Sequence, residues 1–148
     1  MSSSFLVEDP LIERLTPELD ALSTPFWTLG ALGALHIGRC VSCGYYNHPP
    51  TAWCARCLSR DIAPAPVSGQ GIVLSFTVNH QQWVPGQAPF VLAVVGLREQ
   101  DGLRLTTNIV GCTPQEVAIG MRVEVRFIHR NDVYYPVFVP APARNLKS

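Results

Sequence analysis

The sequence has few charged side chains and no excess of either sign. Asp, Glu, Lys and Arg make up 15% of its 148 residues, and the formal net charge is 0. Proteins that bind nucleic acids usually carry a basic surplus, so the composition disfavours that class. Because 47% of the residues are apolar, the chain can build a core, and its low charge suggests that a partner covers part of its surface.

Long apolar runs and targeting signals are also missing. No run approaches the roughly 18 consecutive apolar residues of a membrane span, and no signal peptide is recognisable. Internal repeats and low-complexity segments are absent from the sequence. We therefore expect a cytoplasmic protein that forms one ordinary domain, or a small module joined to a compact one.

Residue combinations typical of catalysis are not visible either. The sequence shows no Ser/His/Asp set and no paired carboxylates, and Gly69-Gln70-Gly71 precedes a predicted strand instead of opening a helix after one. His80 and Cys112 could serve as a base and a nucleophile. A lone histidine is more often structural, however, and no His or Asn is clearly placed to activate the thiol. We predict that this chain carries no catalytic residue.

What the sequence does have is two C-x-x-C pairs, Cys40 with Cys43 and Cys54 with Cys57, ten residues apart. A C-x-x-C turn points both sulfurs the same way, so two such turns can supply the four thiolates of one structural Zn²⁺ site. Disulfides, which suit secreted chains, and redox chemistry, which favours a motif opening a helix, remain as alternatives.

The surroundings of the cysteines refine this hypothesis. Gly44 follows the first pair, where the chain needs a positive φ, but Leu58 follows the second, so we expect the two turns to differ. His36 and His48 lie close by in sequence. Four thiolates already complete a tetrahedron, and both histidines are therefore interpreted as surface or supporting residues.

Residues 1–33 are predicted to be an N-terminal segment of short helices. Three steps combine a capping residue with proline at the first helical position: Asp9-Pro10, Thr16-Pro17 and Thr24-Pro25. Leucines recur on one face at helical spacing: Leu11, Leu15, Leu19 and Leu22. Such an apolar segment either packs on its own domain or docks into another protein, and the pattern leaves both open.

The rest of the chain is predicted to be β. A zinc ribbon is expected over residues 34–62, a proline-containing linker over 59–68, a barrel domain over 63–142 and a tail over 143–148. Five stretches alternate or run apolar like strands: 72–79, 90–97, 103–109, 122–127 and 133–139. The second is apolar enough to be covered on both faces, with Gly96 marking a bulge. Pro136 argues for an edge or a bulge in the last strand.

Short turn signals complete the plan. Asp101-Gly102 is typical of a hairpin, and Thr113 to Glu116 forms a capping box with proline at its first helical position. A short helix should therefore lie between the third and fourth strands. Five strands with that insertion are the plan of an OB-fold, so the fold class is mainly β, with N-terminal short helices, a four-cysteine ribbon and a five-stranded barrel.

Three motifs together carry a family resemblance. The chain contains F-W-x-x-x-x-x-G-x-L-x-I-x-R-C-x-x-C-G, then G-x-G-x-V-x-S-F-T-V, and later V-G-C-x-P-x-x-V-x-I-G-M-x-V-x-V-x-F. This combination resembles the acyl-CoA-associated OB-fold family with a rubredoxin-like zinc ribbon, known as domain of unknown function thirty-five. The resemblance covers roughly residues 25–140.

The resemblance implies a non-catalytic accessory subunit of a thiolase-like enzyme. The partner would carry the catalytic residues, and this chain would help to form its acyl-CoA site, with a lean towards the lipid-transfer-protein-type aldolases of steroid side-chain degradation. Phe26, Trp27, His80 and Trp83 are candidate contacts to the partner or to acyl-CoA. Trp83 lies in the predicted loop 80–89 at the binding rim of the barrel, where it is either an anchor or a lid on its own core.

Two other functions remain as alternatives. Zinc ribbons and OB-folds also bind nucleic acids, which would require one stripe of arginines with Trp53 and Trp83 as stacking platforms. The arginines concerned are Arg39, Arg56, Arg60, Arg104, Arg122, Arg126 and Arg130. A thioesterase that uses His80 or Cys112 is the remaining alternative.

Overall fold

The computed structural model describes residues 5–142 and shows a mainly β protein. Residues 1–4, at the start of the predicted helical segment, and the predicted tail 143–148 lie outside the described residues. The one α-helix of the described part, α1, spans Thr24–Thr28 and continues into a 3₁₀ turn at Leu29–Leu32. The strands are β1 (His36–Cys40), β2 (Tyr46–Asn47), β3 (Ile62–Pro66), β4 (Gln70–Asn79), β5 (Phe90–Leu97), β6 (Arg104–Ile109), β7 (Arg122–Arg130) and β8 (Val133–Pro140). Within residues 5–142, no helix has the length and apolar character needed to cross a bilayer.

Five strands close into a barrel in the order β4-β5-β6-β8-β7. Neighbouring strands are antiparallel except β6 and β8, which meet in parallel at the single pair of Ile109 and Phe138. A 3₁₀ turn at Pro114–Glu116 separates β6 from β7 and begins with the predicted capping box of Thr113 and Glu116. The barrel and the short insertion between its third and fourth strands confirm the predicted OB-fold plan.

The barrel strands send alternate side chains into one core, as their period of two predicts. Among the most deeply buried are Val73, Val95, Val123, Phe127 and Phe138. Pro136 is tolerated in β8 because that strand pairs with β7 along its length but meets β6 only at Phe138. Most of the edge of β8 that faces β6 therefore needs no strand-to-strand hydrogen bonds.

Two details of the second barrel strand differ from the prediction. Strand β5 is not covered on both faces, because Leu92 is exposed on the outside of the barrel. The bulge lies not at Gly96 but in β4, where the register shifts between Val73, which pairs with Val95, and Ser75, which pairs with Val94. Gly96 accommodates the bulge, since a Cβ at this position would come within 3.1 Å of the Leu74 side chain.

The cysteine-bearing part of the chain forms a second, three-stranded sheet with the order β2-β1-β3. Strand β3 pairs with β1 over five residues, from His36 opposite Pro66 to Cys40 opposite Ile62. The stretch predicted as a linker is thus partly an edge strand. Its prolines are compatible with this place because one side of an edge strand forms no ladder bonds.

The ribbon and the barrel share a core. Leu35 and Ile37 of the ribbon are fully buried in the same cluster as the barrel valines. The side chain of Gln100, in the β5–β6 hairpin, accepts a hydrogen bond from the Tyr46 N–H at 2.8 Å and donates one to the Tyr46 carbonyl at 3.0 Å. A single side-chain amide thereby takes the place of a strand partner for β2.

The N-terminal segment is the clearest correction. Only the step at Thr24-Pro25 lies in a helix, and there Ser23 is the N-cap instead of Thr24, whereas the steps at Asp9 and Thr16 lie in irregular chain. The carboxylate of Asp9 does accept the Leu11 N–H at 2.9 Å, as a cap would. No helix follows, because distant barrel residues bind this backbone and hold it in an irregular path. We call residues 8–22 the arm.

Contacts with the barrel fix the first half of the arm, up to Leu15. Asp9 pairs with Arg14 at 2.8 Å and with Arg130 of β7 at 2.7 Å. Gln87 accepts the Ile12 N–H at 2.7 Å and donates to the Pro10 carbonyl at 3.0 Å. Just before the arm, the Val7 N–H and the Phe5 carbonyl bond to the backbone of Phe127 in β7.

We expect acid to loosen the arm. Burial raises the pKa of Asp9, but hydrogen bonds from Arg14 and the Leu11 N–H and the charges of Arg14 and Arg130 outweigh it and hold the pKa below 3.8. Because the folded pKa lies below the unfolded one, this stabilisation is present above about pH 4 and is lost as pH falls through the folded value. Asp9→Asn should lose about 1–3 kcal/mol of arm attachment at neutral pH and most of its acid dependence.

Hydrogen exchange of the amides of residues 10–15, followed from pH 6 to pH 3, measures this effect. Asp61→Asn, a change at an exposed carboxylate of the ribbon, is the matched control. Equal exchange in wild type and Asp9→Asn at neutral pH would show that Asp9 does not hold the arm.

Candidate metal centre and partner-facing surface

The four cysteines of the two C-x-x-C pairs come together at one end of the ribbon. Their sulfur atoms all lie within 4.8 Å of one another. The Sγ atoms of Cys40 and Cys57 are 3.6 Å apart, and those of Cys43 and Cys54 are 3.7 Å apart. A disulfide needs about 2.05 Å, so neither pair is bonded. A tetrahedron of thiolates at about 2.3 Å from a metal has edges near 3.8 Å, which the structure matches.

The two turns that present the sulfurs have the same backbone hydrogen bonds, contrary to the expectation that they differ. The Gly44 N–H bonds to the Cys40 carbonyl at 2.8 Å, and the Leu58 N–H bonds to the Cys54 carbonyl at 2.9 Å. Leu58 adopts φ +66°, in the left-handed region that Gly44 occupies at φ +82°. The geometry of the second turn is thus kept although it places a branched residue where glycine is favoured.

Backbone N–H groups around the sulfurs favour thiolates. The N–H of Cys43 points at the Sγ of Cys40 and lowers the pKa of that thiol. Burial opposes ionisation of Cys54, but the N–H groups of Cys57 and Arg56 and its other hydrogen bonds lower its pKa to about 6.

Cys57 has the opposite shift. The N–H of Ser59 acts to lower its pKa, but the neighbouring sulfurs of Cys40, Cys43 and Cys54 raise it to about 11. Four sulfurs this close together would all be thiolates only with a cation among them. The donor set, its spacing and its charge fit a divalent metal that prefers thiolates.

Neither nearby histidine belongs to the sulfur cluster. A ring nitrogen of His36 lies 2.9 Å from the Ala34 carbonyl, so this side chain serves the local backbone. The His48 ring packs against Phe26 with a centroid distance of 4.7 Å, and burial lowers its pKa. Both histidines support the ribbon and its contact with the N-terminal helix.

The four predicted contact residues lie in two different environments. Phe26 is only 8% exposed and belongs to the core, so we remove it from the contact surface. Trp27 is partly buried and packs edge-on against Tyr135. His80 and Trp83 are exposed in the β4–β5 loop, and Trp83 at 79% exposure covers none of its own core. The lid interpretation of Trp83 is therefore wrong.

Cys112 is poorly suited to nucleophilic chemistry. Burial raises the pKa of its thiol, and the charge of Glu116 raises it further. The thiolate is the reactive form of cysteine, and a raised pKa keeps this thiol protonated near neutral pH. Its side chain packs at the margin of the barrel core, in line with the structural role expected from the sequence.

The arginines required for a nucleic-acid stripe are largely engaged within the chain. Arg126 pairs with Glu124, and Arg130 pairs with Asp9. The three arginines of the ribbon lie over its aromatic rings, namely Arg39 over Tyr46, Arg56 over Tyr45 and Arg60 over Trp53. Trp53, one of the two proposed stacking platforms, is thus already in contact with a guanidinium group.

A groove of about 590 Å³ lies on the barrel, bordered by β4, the β5–β6 hairpin and the ends of β7 and β8. Its lining includes the guanidinium groups of Arg98 and Arg122, the carboxylates of Asp101 and Glu124, and the apolar side chains of Ile72 and Leu74. The groove therefore combines charges of both signs with apolar surface. Sequence reasoning missed this site, because its residues are the outward-facing members of strands whose pattern only shows that they point to solvent.

Comparison with known proteins matches both modules. Residues 27–63 match the family model described as "ChsH2, rubredoxin-like zinc ribbon domain". Residues 65–127 match "ChsH2, C-terminal OB-fold domain". The match to the ribbon model agrees with the four-sulfur geometry, and the match to the OB-fold model covers most of the closed barrel.

Two curated relatives are much longer than this chain. The "Probable enoyl-CoA hydratase alpha subunit" of Thermomonospora curvata is 38% identical over 109 residues, covering 72% of this chain and 34% of that protein. The "3-oxo-4,17-pregnadiene-20-carboxyl-CoA hydratase alpha subunit" of Mycobacterium tuberculosis is 38% identical over 104 residues, covering 70% and 32%. This chain therefore spans about a third of the length of each.

A solved structure described as "Ltp2-ChsH2(DUF35) aldolase" contains a chain of similar size. The similarity has a TM-score of 0.75 at 35% identity and covers 86% of this chain and 100% of that one. The resemblance suggested by the three motifs is thereby confirmed over both modules. This chain belongs to the ChsH2-type DUF35 family, in which a rubredoxin-like zinc ribbon precedes an OB-fold.

Proposed function

We propose that this chain is a non-catalytic accessory subunit that binds a thiolase-like enzyme and helps to form its acyl-CoA site. The observation that carries the proposal is the 35% identity to a chain of the Ltp2–ChsH2(DUF35) aldolase, since the similarity extends over the whole of that chain. The activity would be carbon–carbon bond cleavage, with the retro-aldol step of steroid side-chain degradation as its setting. The hydratase relative that acts on a pregnadiene-carboxyl-CoA supports a steroid acyl-CoA as substrate.

The partner would supply the chemistry. A retro-aldol cleavage breaks the bond between the α and β carbons of a β-hydroxyacyl thioester, which requires a base for the hydroxyl proton and stabilisation of the enolate. In this chain His80 stands in an exposed loop and the thiol of Cys112 is kept protonated. Neither side chain is therefore activated as the base for the hydroxyl proton or as a stabiliser of the enolate.

Two features of this chain would serve the complex. One structural Zn²⁺ per chain, bound by Cys40, Cys43, Cys54 and Cys57, would fix the ribbon. The groove offers the guanidinium groups of Arg98 and Arg122 and the apolar side chains of Ile72 and Leu74 for a thioester of coenzyme A, beside the carboxylates of Asp101 and Glu124. His80 and Trp83 would contact the partner or the acyl-CoA from the β4–β5 loop.

Reconstitution tests this function. The chain, a purified thiolase-like enzyme of the Ltp2 type from the same organism, and their mixture are each incubated with a steroid β-hydroxyacyl-CoA. We expect ketone release, measured by mass spectrometry, only from the mixture, and at least about a hundredfold above either component. Cys112→Ala should retain full activity in the mixture, because this thiol has no catalytic part.

Turnover by the chain alone would contradict the accessory role. A mixture that forms no complex and no product would contradict the proposed partner class. Steep, salt-dependent retention of single-stranded DNA or RNA in a gel shift would instead favour a nucleic-acid-binding module.

A further inference from the structure

The arm, residues 8–22, has its polar side towards the barrel and its apolar side towards solvent. Three side chains of the barrel domain bind the backbone of the arm. Gln87 accepts a hydrogen bond from the Ile12 N–H, and Arg130 donates one to the Ile12 carbonyl at 3.0 Å. The Tyr135 hydroxyl donates one to the Leu15 carbonyl at 2.9 Å. Its exposed apolar side chains are Ile12, Leu15, Leu19 and Leu22, and Leu15 is 92% exposed. The first half of this segment is fixed by specific bonds, yet the segment exposes four large apolar side chains, which is a feature typical of a surface that meets a partner.

The same segment is strongly acidic. Residues 8–20 hold five of the chain's eleven carboxylates and one arginine, which gives this stretch a net charge of −4 in a chain whose total is 0. Asp9 is paired with Arg14 and Arg130, whereas Glu8, Glu13, Glu18 and Asp20 are exposed between the apolar side chains. The zero net charge of the whole chain hides this separation.

Trp83 extends the apolar surface. Its loop carries the arm, because Gln87 of that loop bonds to Ile12 and Pro10. Ile12 also lies against the loop, with its Cδ1 3.9 Å from the position that a Cβ of Gly86 would have. The arm and the tryptophan loop therefore form one surface, which combines apolar anchors with an acidic border.

We propose that this surface docks into an apolar groove with a basic rim on the partner enzyme. The inference rests on the proposed function, since it needs that partner. The exposed leucines and Trp83 would fill the groove, and the four exposed carboxylates would face its lysines or arginines. Apolar anchors supply most of the affinity at such interfaces, while complementary charge raises the association rate and fixes the orientation.

A second copy of this chain is the less suitable occupant. A two-fold contact places identical surfaces against each other, and this would bring the acidic arm of one copy onto that of the other. A head-to-tail contact onto the basic ribbon would meet arginines that already lie over Tyr45, Tyr46 and Trp53. It would also generate an open chain of subunits unless the rotation closed.

The test measures binding of the full-length chain to the purified thiolase-like enzyme used for reconstitution, by biolayer interferometry at 50 and 500 mM salt. We expect Leu15→Asp to weaken binding about tenfold or more at both salt concentrations. The double change Glu13→Lys and Glu18→Lys should weaken binding about tenfold at 50 mM salt and much less at 500 mM, because salt screens exposed charges.

Ile119→Asp is the matched control for Leu15→Asp. Ile119 is exposed like Leu15, at 70%, but it lies before the start of β7, whereas the arm is bound at Arg130 at the far end of that strand. Eight residues of strand separate the two ends of β7 by about 27 Å. Ile119→Asp should bind like wild type. Circular dichroism and metal content verify that all variants are folded.

Each outcome distinguishes the inference from the function on which it rests. Wild-type affinity in Leu15→Asp would overturn the docking surface and leave the accessory role intact. Failure of the wild-type chain to bind the enzyme would overturn both. Unchanged or tighter binding by the lysine variant would rule out a basic rim. A wild-type dimer in sedimentation that Leu15→Asp dissociates would assign the surface to a second copy.

Discussion

Replacing Cys54 by serine is expected to abolish metal binding and to unfold the ribbon. Cys54 is fully buried, and its Sγ lies 3.7 Å from that of Cys43. A serine hydroxyl is a weak zinc ligand, and the free energy of binding structural zinc, about 10–16 kcal/mol in small zinc modules, is also folding free energy. The loss should extend beyond the ribbon, because Leu35 and Ile37 belong to the same core as the barrel.

Metal content by mass spectrometry and thermal unfolding by circular dichroism measure this effect. We expect about one zinc per wild-type chain, essentially none in Cys54→Ser, and a midpoint of unfolding lower by well over 10 °C. Cys112→Ser, the fifth cysteine, lies outside the sulfur cluster and should keep the metal. A Cys54→Ser protein that is metal-free and as stable as wild type would show that the four thiolates have no structural part.

Phe127→Ala should produce the next largest loss, about 3–5 kcal/mol of unfolding free energy. The side chain is fully buried, and its ring packs edge-on against Phe5 at a centroid distance of 6.3 Å. Gly30 has no side chain because a Cβ there would come within 2.7 Å of this ring. Removing the ring would leave a cavity between the barrel, the start of the chain and the 3₁₀ turn after α1.

Urea denaturation of the zinc-loaded protein at neutral pH quantifies this loss. A loss of about 3–5 kcal/mol would be a large share of the unfolding free energy of a typical folded domain, which is about 5–15 kcal/mol. Phe90→Ala, at the half-buried first residue of β5, should cost less than half as much. A cost for Phe127→Ala no larger than that for Phe90→Ala would place the centre of the core elsewhere.

The sequence predicts most of what depends on local pattern. The C-x-x-C pairs fix which sulfurs meet, since two short turns and a hairpin leave few other arrangements. Alternation of apolar residues predicts the barrel strands, and the capping box at Thr113 predicts the turn between β6 and β7. Family resemblance follows from the same residues.

What the sequence does not predict depends on partners far along the chain. The steps at Asp9 and Thr16 look like helix starts, but Arg130, 121 residues after Asp9, helps to hold the arm in a non-helical path. Gln87 bonds to Ile12 across 75 residues and gives no local signal of doing so. Phe26 and Trp83 are similar as aromatic residues in sequence, and only the fold shows that one lies in the core and the other is exposed.

The closure of the barrel has a consequence for solubility. Every other pair of neighbouring barrel strands shares three or more residue pairs, whereas β6 and β8 share only Ile109 and Phe138. The Val110 N–H bonds to the Phe138 carbonyl at 2.8 Å, and the Thr107 hydroxyl bonds to the Pro136 carbonyl at 3.0 Å. An opening at this seam would uncover two strand edges, which readily recruit strands from other molecules. These few bonds therefore protect the protein from edge-to-edge aggregation.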